Sequence, residues 1–280
     1  MNPRLKILLL FVQGFLIWLF FLSPASGAGY TEVFHSGKID WSKWVAEAVG
    51  TTVLPANKAK SEKAKTAASE EAVQSAKGNL FDLVGKIKVD SVTTVKDLIT
   101  QSEALGKKIQ DLVQQVSPRK VRFSGNGRVE ATVSIAMSGP LSELVLPDAI
   151  CAIDSVQSSV TSQNSPKDSF TGLVVECAGI RVRPAIFPSI FDEDGQLVYG
   201  SPYIHREHAV KKGVAAYIRD ISAAEKDERV APRPLIVKGI RAAASGSSDI
   251  VISNSDAARV RGSAYHLKWL QSCRIVIVLE

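Results

Sequence analysis

The side chains best suited to chemistry are His205, Glu207 and His208, in the run His205-Arg206-Glu207-His208. Imidazoles three positions apart share one face of a helix and could hold a metal ion between them. The helical zinc-hydrolase pattern, however, spaces its histidines one position further apart, with a carboxylate base beside the first. His35 and His266, the other two of four histidines, are far away in sequence. A solvated helix start is the plainer reading of this run. Asp192, Glu193 and Asp194 offer carboxylates for Ca²⁺ but lack the long ligand loop of an EF-hand, and Asp-Glu-Asp-Gly is ordinary turn chemistry. No Gly-x-Ser-x-Gly elbow or phosphate-cradling loop is present, and Gly125-Asn126-Gly127 is a hairpin turn too short for that role. Cys151, Cys177 and Cys273 lie in no setting that would lower a thiol pKa. Outside the cytoplasm two of them could oxidise and leave one over, and the spacing does not say which. Cys177 and Cys273 sit in apolar, strand-like runs that suit buried free thiols. The sequence therefore assigns no catalytic, cofactor-binding or metal-ligating residue, and no cofactor.

Two further groups could make contacts. Lys58, Lys60, Lys63 and Lys65 precede Glu70 and Glu71 at the start of a helical segment. Positive charge there opposes the helix dipole by up to about 1 kcal/mol, which points to an anionic partner such as lipid headgroups, against the simpler view of a solvated flank. Trp41, Trp44 and Trp269 could anchor an interface, or be partly buried core.

The elements that carry these residues begin behind an export signal. Arg4 and Lys6 precede an apolar stretch over residues 7–22, broken only by Gln13 and Gly14, and then Ser23, Pro24, Ala25, Ser26, Gly27 and Ala28. A basic start, an apolar middle and a small-residue end form a secretory signal peptide, expected to be cleaved after Ala28. The rival is an uncleaved anchor, since a spanning helix needs about 20 apolar residues. The chain has 280 residues and a formal charge of +6, which loss of Arg4 and Lys6 reduces to +4. The basic residues are interspersed with acids, so no nucleic-acid surface is implied.

The expected fold class is α+β, in two small domains. The first, over 29–146, is a strand–helix–strand–strand unit. Its strand spans 41–50, and its helix 58–88 has an inner face of Ala72, Val73, Ala76, Leu80, Leu83, Val84 and Ile87. A second helical pattern runs from Val95 to a stop at Pro118, and a hairpin turns at Gly125-Asn126-Gly127. A Ser- and Gln-rich linker is expected over 147–169. The second domain, 170–280, is expected to be a mixed sheet with two helices, one over 205–224 with Val210, Val214, Tyr217, Ile218 and Ile221 inward. The other is capped by Ser253 or Asn254 and runs to about Leu270. Strands are expected at 172–175, through 183–191, at 235–237 and 249–252, and at the C-terminal run 274–278.

The first domain resembles the LPP-twenty lipoprotein family and the N-terminal domain of flagellar assembly protein T. The likeness lies in residues 44–50, in 64–94 with Ala67-Ala68, Ala72, Leu80 and Val89-Asp90-Ser91-Val92-Thr93-Thr94, and in 129–139. In the second half, Thr171-Gly172-Leu173-Val174-Val175 through Gly179, Pro184, Pro188 and residues 192–195 to Tyr199-Gly200 is similar to a segment that follows this domain in uncharacterised relatives. Val251-Ile252-Ser253-Asn254 with residues 256–259 is similar to theirs too. The resemblance implies an envelope location and no known enzymatic activity, and its flagellar branch implies a periplasmic ring around the motor. The acylated N-terminal Cys of the lipoproteins has no counterpart here.

The expectation is an exported, non-catalytic component of the cell envelope, periplasmic or outer-membrane-associated, acting in flagellar or outer-membrane assembly. Its partners would be envelope proteins or a second copy of itself, with peripheral membrane contact and no nucleic acid. The rival is a periplasmic module dependent on a metal or binding a small ligand.

Overall fold

The computed structural model describes residues 29–147, 150 and 170–280. The expected signal peptide, most of the expected linker and Cys151 lie outside them. The fold is mixed α+β, with two sheets and eight α-helices among the described residues.

The first sheet is antiparallel, in the order β1-β2-β3-β5-β4. It comprises β1 (Thr31–Phe34), β2 (Gly37–Asp40), β3 (Val45–Val53), β4 (Pro118–Phe123) and β5 (Arg128–Ala136). Strand β3 alternates, turning Ala46, Ala48 and Gly50 inward. Against them lies helix α1 (Glu62–Gly85), capped by Ser61, which buries Ala68, Ala72, Ala76, Leu80, Leu83 and Val84. Small residues on both surfaces bring the two backbones unusually close. A Cβ on Gly50 would lie 2.0 Å from the Ala76 nitrogen.

The second helical pattern forms two helices, α2 (Val95–Gln101) and α3 (Glu103–Gln114). Ser102 ends the first in extended geometry and caps the second by accepting from Leu105 N. The strand expected at 41–50 is shifted: Trp41 to Trp44 form the turn before β3, and β1 and β2 precede it. A short helix α4 (Pro140–Val145) follows β5.

The second sheet has seven strands, in the order β8-β7-β11-β10-β6-β12-β9. These are β6 (Leu173–Glu176), β7 (Ile190–Phe191), β8 (Leu197–Tyr199), β9 (Ala216–Ile218), β10 (Leu235–Ala242), β11 (Ile250–Ile252) and β12 (Ile275–Val278). Strands β10, β6, β12 and β9 are mutually parallel, and every residue of β12 is buried, as befits an apolar strand covered on both faces.

Here the helix expected over 205–224 is corrected. Helix α5 (Arg206–Lys212) stops at Gly213, whose φ of +77° ends the turn, and Ala216–Ile218 becomes strand β9 beside β12. Asp220 then caps α6 (Ile221–Lys226). Val214, Tyr217 and Ile218 fit a helical period, but the free flank of β12 recruits Ala216, Tyr217 and Ile218 as a strand, a long-range pairing with no local signal. The helix expected to reach Leu270 is likewise two, α7 (Asn254–Arg261), capped by Ser253, and α8 (Ala264–Gln271), capped by Ser263. Four short helices thus accompany the second sheet instead of two. Of the strand expected through 183–191, only Ile190 and Phe191 pair. Ile186 and Phe187 instead donate to the carbonyls of Lys88 and Val89 in the first unit.

The two sheets share one hydrophobic cluster. Trp41 and Trp44, edge to face at 6.2 Å, form the seam. The Trp41 ring meets Tyr217 at 5.6 Å, while its indole N–H donates to Glu32 at 2.7 Å. The Tyr217 hydroxyl donates to the Ala185 carbonyl at 2.8 Å and accepts from its amide at 3.0 Å. Gly139 N also donates to Val210 O, and Arg206 grips Glu143 and the Pro147 carbonyl. Gly29 bridges to Ile218, tying the start of the described chain to the outer edge of the second sheet.

Candidate functional site

Of the polar groups singled out by sequence, the carboxylates of Asp192, Glu193 and Asp194 are used inside the fold. His205 and His208 do come together, their rings 6.2 Å apart. Burial, followed by the nearby Lys212 ammonium, lowers the pKa of His208. Among the described residues no group of three or more His, Cys, Asp or Glu side chains converges, so this pair lacks the further ligands of a structural zinc site.

Asp192, Glu193 and Asp194 converge on α7, not on a cavity. The Glu193 carboxylate accepts from Asn254 N at 2.9 Å, Asp194 from Asn254 Nδ2 at 3.0 Å, and Asp192 from Gln196 N at 2.7 Å. Arg261 closes the arrangement on Asp192 at 2.9 Å. Burial alone would raise the Asp192 pKa, but the Gln196 amide and the Arg261 guanidinium outweigh it and bring it below its ordinary value of 3.8. A depressed folded-state pKa means that this carboxylate stabilises the fold above pH 3.8, the value expected once unfolded, and that the contribution disappears as pH falls through the lower folded value. Asp192→Asn is therefore expected to lower the urea midpoint at pH 7. The gap from wild type should close in acid, below the ordinary carboxylate range. A gap of equal size at both pH values would show that the charge is irrelevant.

Cys177 and Cys273 are buried free thiols; burial pushes the first to about 12 and the second to about 11. Neither is a nucleophile at neutral pH. The Arg229 guanidinium donates to the carbonyls of Lys212, Gly213 and Cys273, binding the end of α5 to the start of β12. Arg229 lies in a coil between α6 and β10, and no local pattern marks it.

The outward-facing site lies at the end of the first sheet, where two features noted in the sequence meet. The β4–β5 hairpin turns through Ser124-Gly125-Asn126-Gly127: Gly127 N donates to Ser124 O, and Asn126 Oδ1 accepts from Arg128 N. Gly127, at φ +80°, donates nothing further but accepts from Leu54 N at 2.7 Å; a Cβ there would sit 2.5 Å from Leu54 O. Only glycine lets the hairpin tip rest on the chain leaving β3. Between this tip and the approach to α1 opens a cleft of about 670 Å³, walled by Leu54, Ala56, Ala59 and Phe123 with Lys65 at its side. Phe123 is 50% exposed and nearby Val53 70%. Lys58, Lys60 and Lys63 stand exposed on the segment that enters α1, and Lys65 pairs with Glu62 at 2.7 Å. The lining holds a hydroxyl, an amide and an ammonium, from Ser124, Asn126 and Lys65. Phe123 and Leu54 were not singled out by sequence; an aromatic residue directly before a glycine turn was the available signal.

Residues 172–280 match the family described as Treponema pallidum Tp0624, second domain. The match covers the second sheet and its helices. No curated protein matches the chain. The C-terminal unit is thus similar to a domain of a bacterial protein, and the cleft lies outside the matched residues.

Proposed function

We propose that this chain is an exported, non-catalytic component of a bacterial cell envelope that holds another envelope protein, and that the cleft beside Phe123 is its contact surface. The reading is supported by one contrast. The carboxylates of Asp192, Glu193 and Asp194 are engaged in caps and clamps, while a partly apolar cleft with Lys65 at its side faces outward. The leader, Arg4 and Lys6 ahead of an apolar stretch, supports export. The resemblance of residues 44–50, 64–94 and 129–139 to the LPP-twenty lipoproteins and the flagellar assembly protein T N-terminal domain supports an assembly role, flagellar or at the outer membrane.

A photo-crosslinking residue placed at Phe123, in the chain expressed with its own leader in a bacterial host, tests this. Val92 is 85% exposed and distant in sequence from the cleft, and serves as the control position. The chain should fractionate with the envelope, and Phe123 should give discrete adducts with envelope proteins that Val92 does not. A full-length chain in the cytosol, or identical adduct patterns at the two positions, would defeat the proposal.

A further inference from the structure

Among the described residues, strand β4 closes one side of the first sheet and pairs only with β5. Except for half-buried Val121, all its residues are exposed. Ser124 N donates to Arg128 O, which makes Ser124 and Arg128 a hydrogen-bonded pair; by the antiparallel alternation, Arg122 with Glu130 is the next. The backbone groups of Val121 and Phe123 then point away from the sheet. Their side chains share the face of Val129 and Ala131, the face that α1 covers further in. Lys120 and Arg122 project from the opposite face, and Arg119 lies at the bulge beside them. Among the described residues, Arg119, Lys120 and Arg122 form no ion pair, and neither do the exposed Lys58, Lys60 and Lys63 on the segment that enters α1.

Building on the contact surface proposed above, we infer that the outer edge of β4 and the cleft at its Phe123 end form one receptor for an extended, acidic strand of a partner protein. The strand adds to β4 through the outward amides and carbonyls of Val121 and Phe123, as in other complexes built by strand addition. Its alternate residues meet two different surfaces: apolar side chains pack beside Phe123 and Leu54, and carboxylates face Lys120 and Arg122. The charge pattern selects this occupant. Basic residues on a free edge repel a second copy of the same edge, since Arg and Lys would face Arg and Lys, while they attract a strand of opposite sign. A lipid would use the cleft and the lysines but leave the outward amides idle.

The probe is a fluorescent short peptide alternating Glu with Val and Phe, titrated with the purified protein and read by anisotropy. Three comparison peptides carry Lys in place of Glu, or N-methyl groups on one or the other alternate set of amides; phosphatidylglycerol vesicles are tested by co-sedimentation. The acidic peptide should bind, and more weakly as salt rises. One N-methylated series, the Lys peptide, and the Phe123→Ser and Val121→Pro variants should each weaken binding about tenfold or more, a change of about 1.4 kcal/mol. Val121→Pro removes an amide that the native ladder does not use, and proline is tolerated on edge strands. The N-methylated peptides need no altered protein, so a misfolded variant does not spoil the test. Equal affinity for both N-methylated series and the parent, or equal affinity for the Lys peptide, would overturn strand addition. So would Phe123-dependent sedimentation with vesicles when the acidic peptide does not bind. If adducts at Phe123 persist while the peptides fail, the contact surface stands and its mode of recognition is different.

Discussion

Gly50→Ala is expected to lower the stability of the protein by about 3 kcal/mol, whereas Gly78→Ala should raise it by about 1 kcal/mol. Both add one methyl group. At Gly50 the new Cβ would meet the backbone of α1 at 2.0 Å from Ala76 N and 2.4 Å from Ala72 O. Backbone of a helix cannot rotate aside as a side chain can, so the whole helix must lift from the sheet. Lifting it loosens contacts along Ala46, Ala48, Ala68, Ala72 and Ala76 together, all of them buried. Gly78 lies exposed in the same helix with nothing within 4 Å, and there alanine only improves helix propensity. Urea denaturation followed by circular dichroism measures both. Equal midpoints for the two variants would contradict the close approach of helix and sheet.

The second large effect belongs to the seam. Gly213→Ala is expected to cost about 3 kcal/mol, from two sources. The backbone at φ +77° is strained for any residue with a Cβ, and that Cβ would fall 2.2 Å from the Trp44 ring. Trp44, itself at φ +53°, would have to leave its slot between the sheets. Because the two sheets meet through this ring and Trp41, the loss should fall on the coupling between units, so that one unfolding transition becomes two. Trp44→Ala alone should also destabilise, by about 3–5 kcal/mol. Adding it to Gly213→Ala should cost much less than the sum, since the contact is already lost. Additive effects would show that glycine and tryptophan act independently and that the seam is built otherwise.

Much of the fold is legible in the residues themselves. Helix α1 announces its buried stripe through Ala72, Ala76, Leu80, Leu83 and Val84, spaced for one face, and every one of them is buried. The hairpin at Gly125-Asn126-Gly127 is legible for a similar reason: a tight turn needs positive φ, and Gly127 provides it at +80°. The C-terminal strand shows itself as a continuous apolar run. What misleads is the region after His205, where Val210, Val214, Tyr217 and Ile218 satisfy a helical period. Gly213 was the available warning. The pairing of Ala216, Tyr217 and Ile218 with Val276, Ile277 and Val278 is a contact across some sixty residues, and no local rule carries it. Strands β1 and β2 were missed because their four-residue runs are too short to show a period. The site was half legible: the lysine run and the glycine turn stood out separately, but the meeting of Lys65 with that turn at one cleft did not.

By itself the sequence determined which segments are helical or extended wherever one face must be buried, because solvent sorts side chains along each element by a period that can be counted. It also determined that Cys177 and Cys273 are buried, although both sit just outside the strands, and that Asp192, Glu193 and Asp194 make a turn. Tertiary structure alone decided that those carboxylates hold α7 and Arg261, that Trp41 and Trp44 join the two sheets, and that Phe123 borders a cleft with Lys65 at its side. Each of these depends on which surfaces meet after the elements form, and that choice is made by shape and charge between residues distant in the chain.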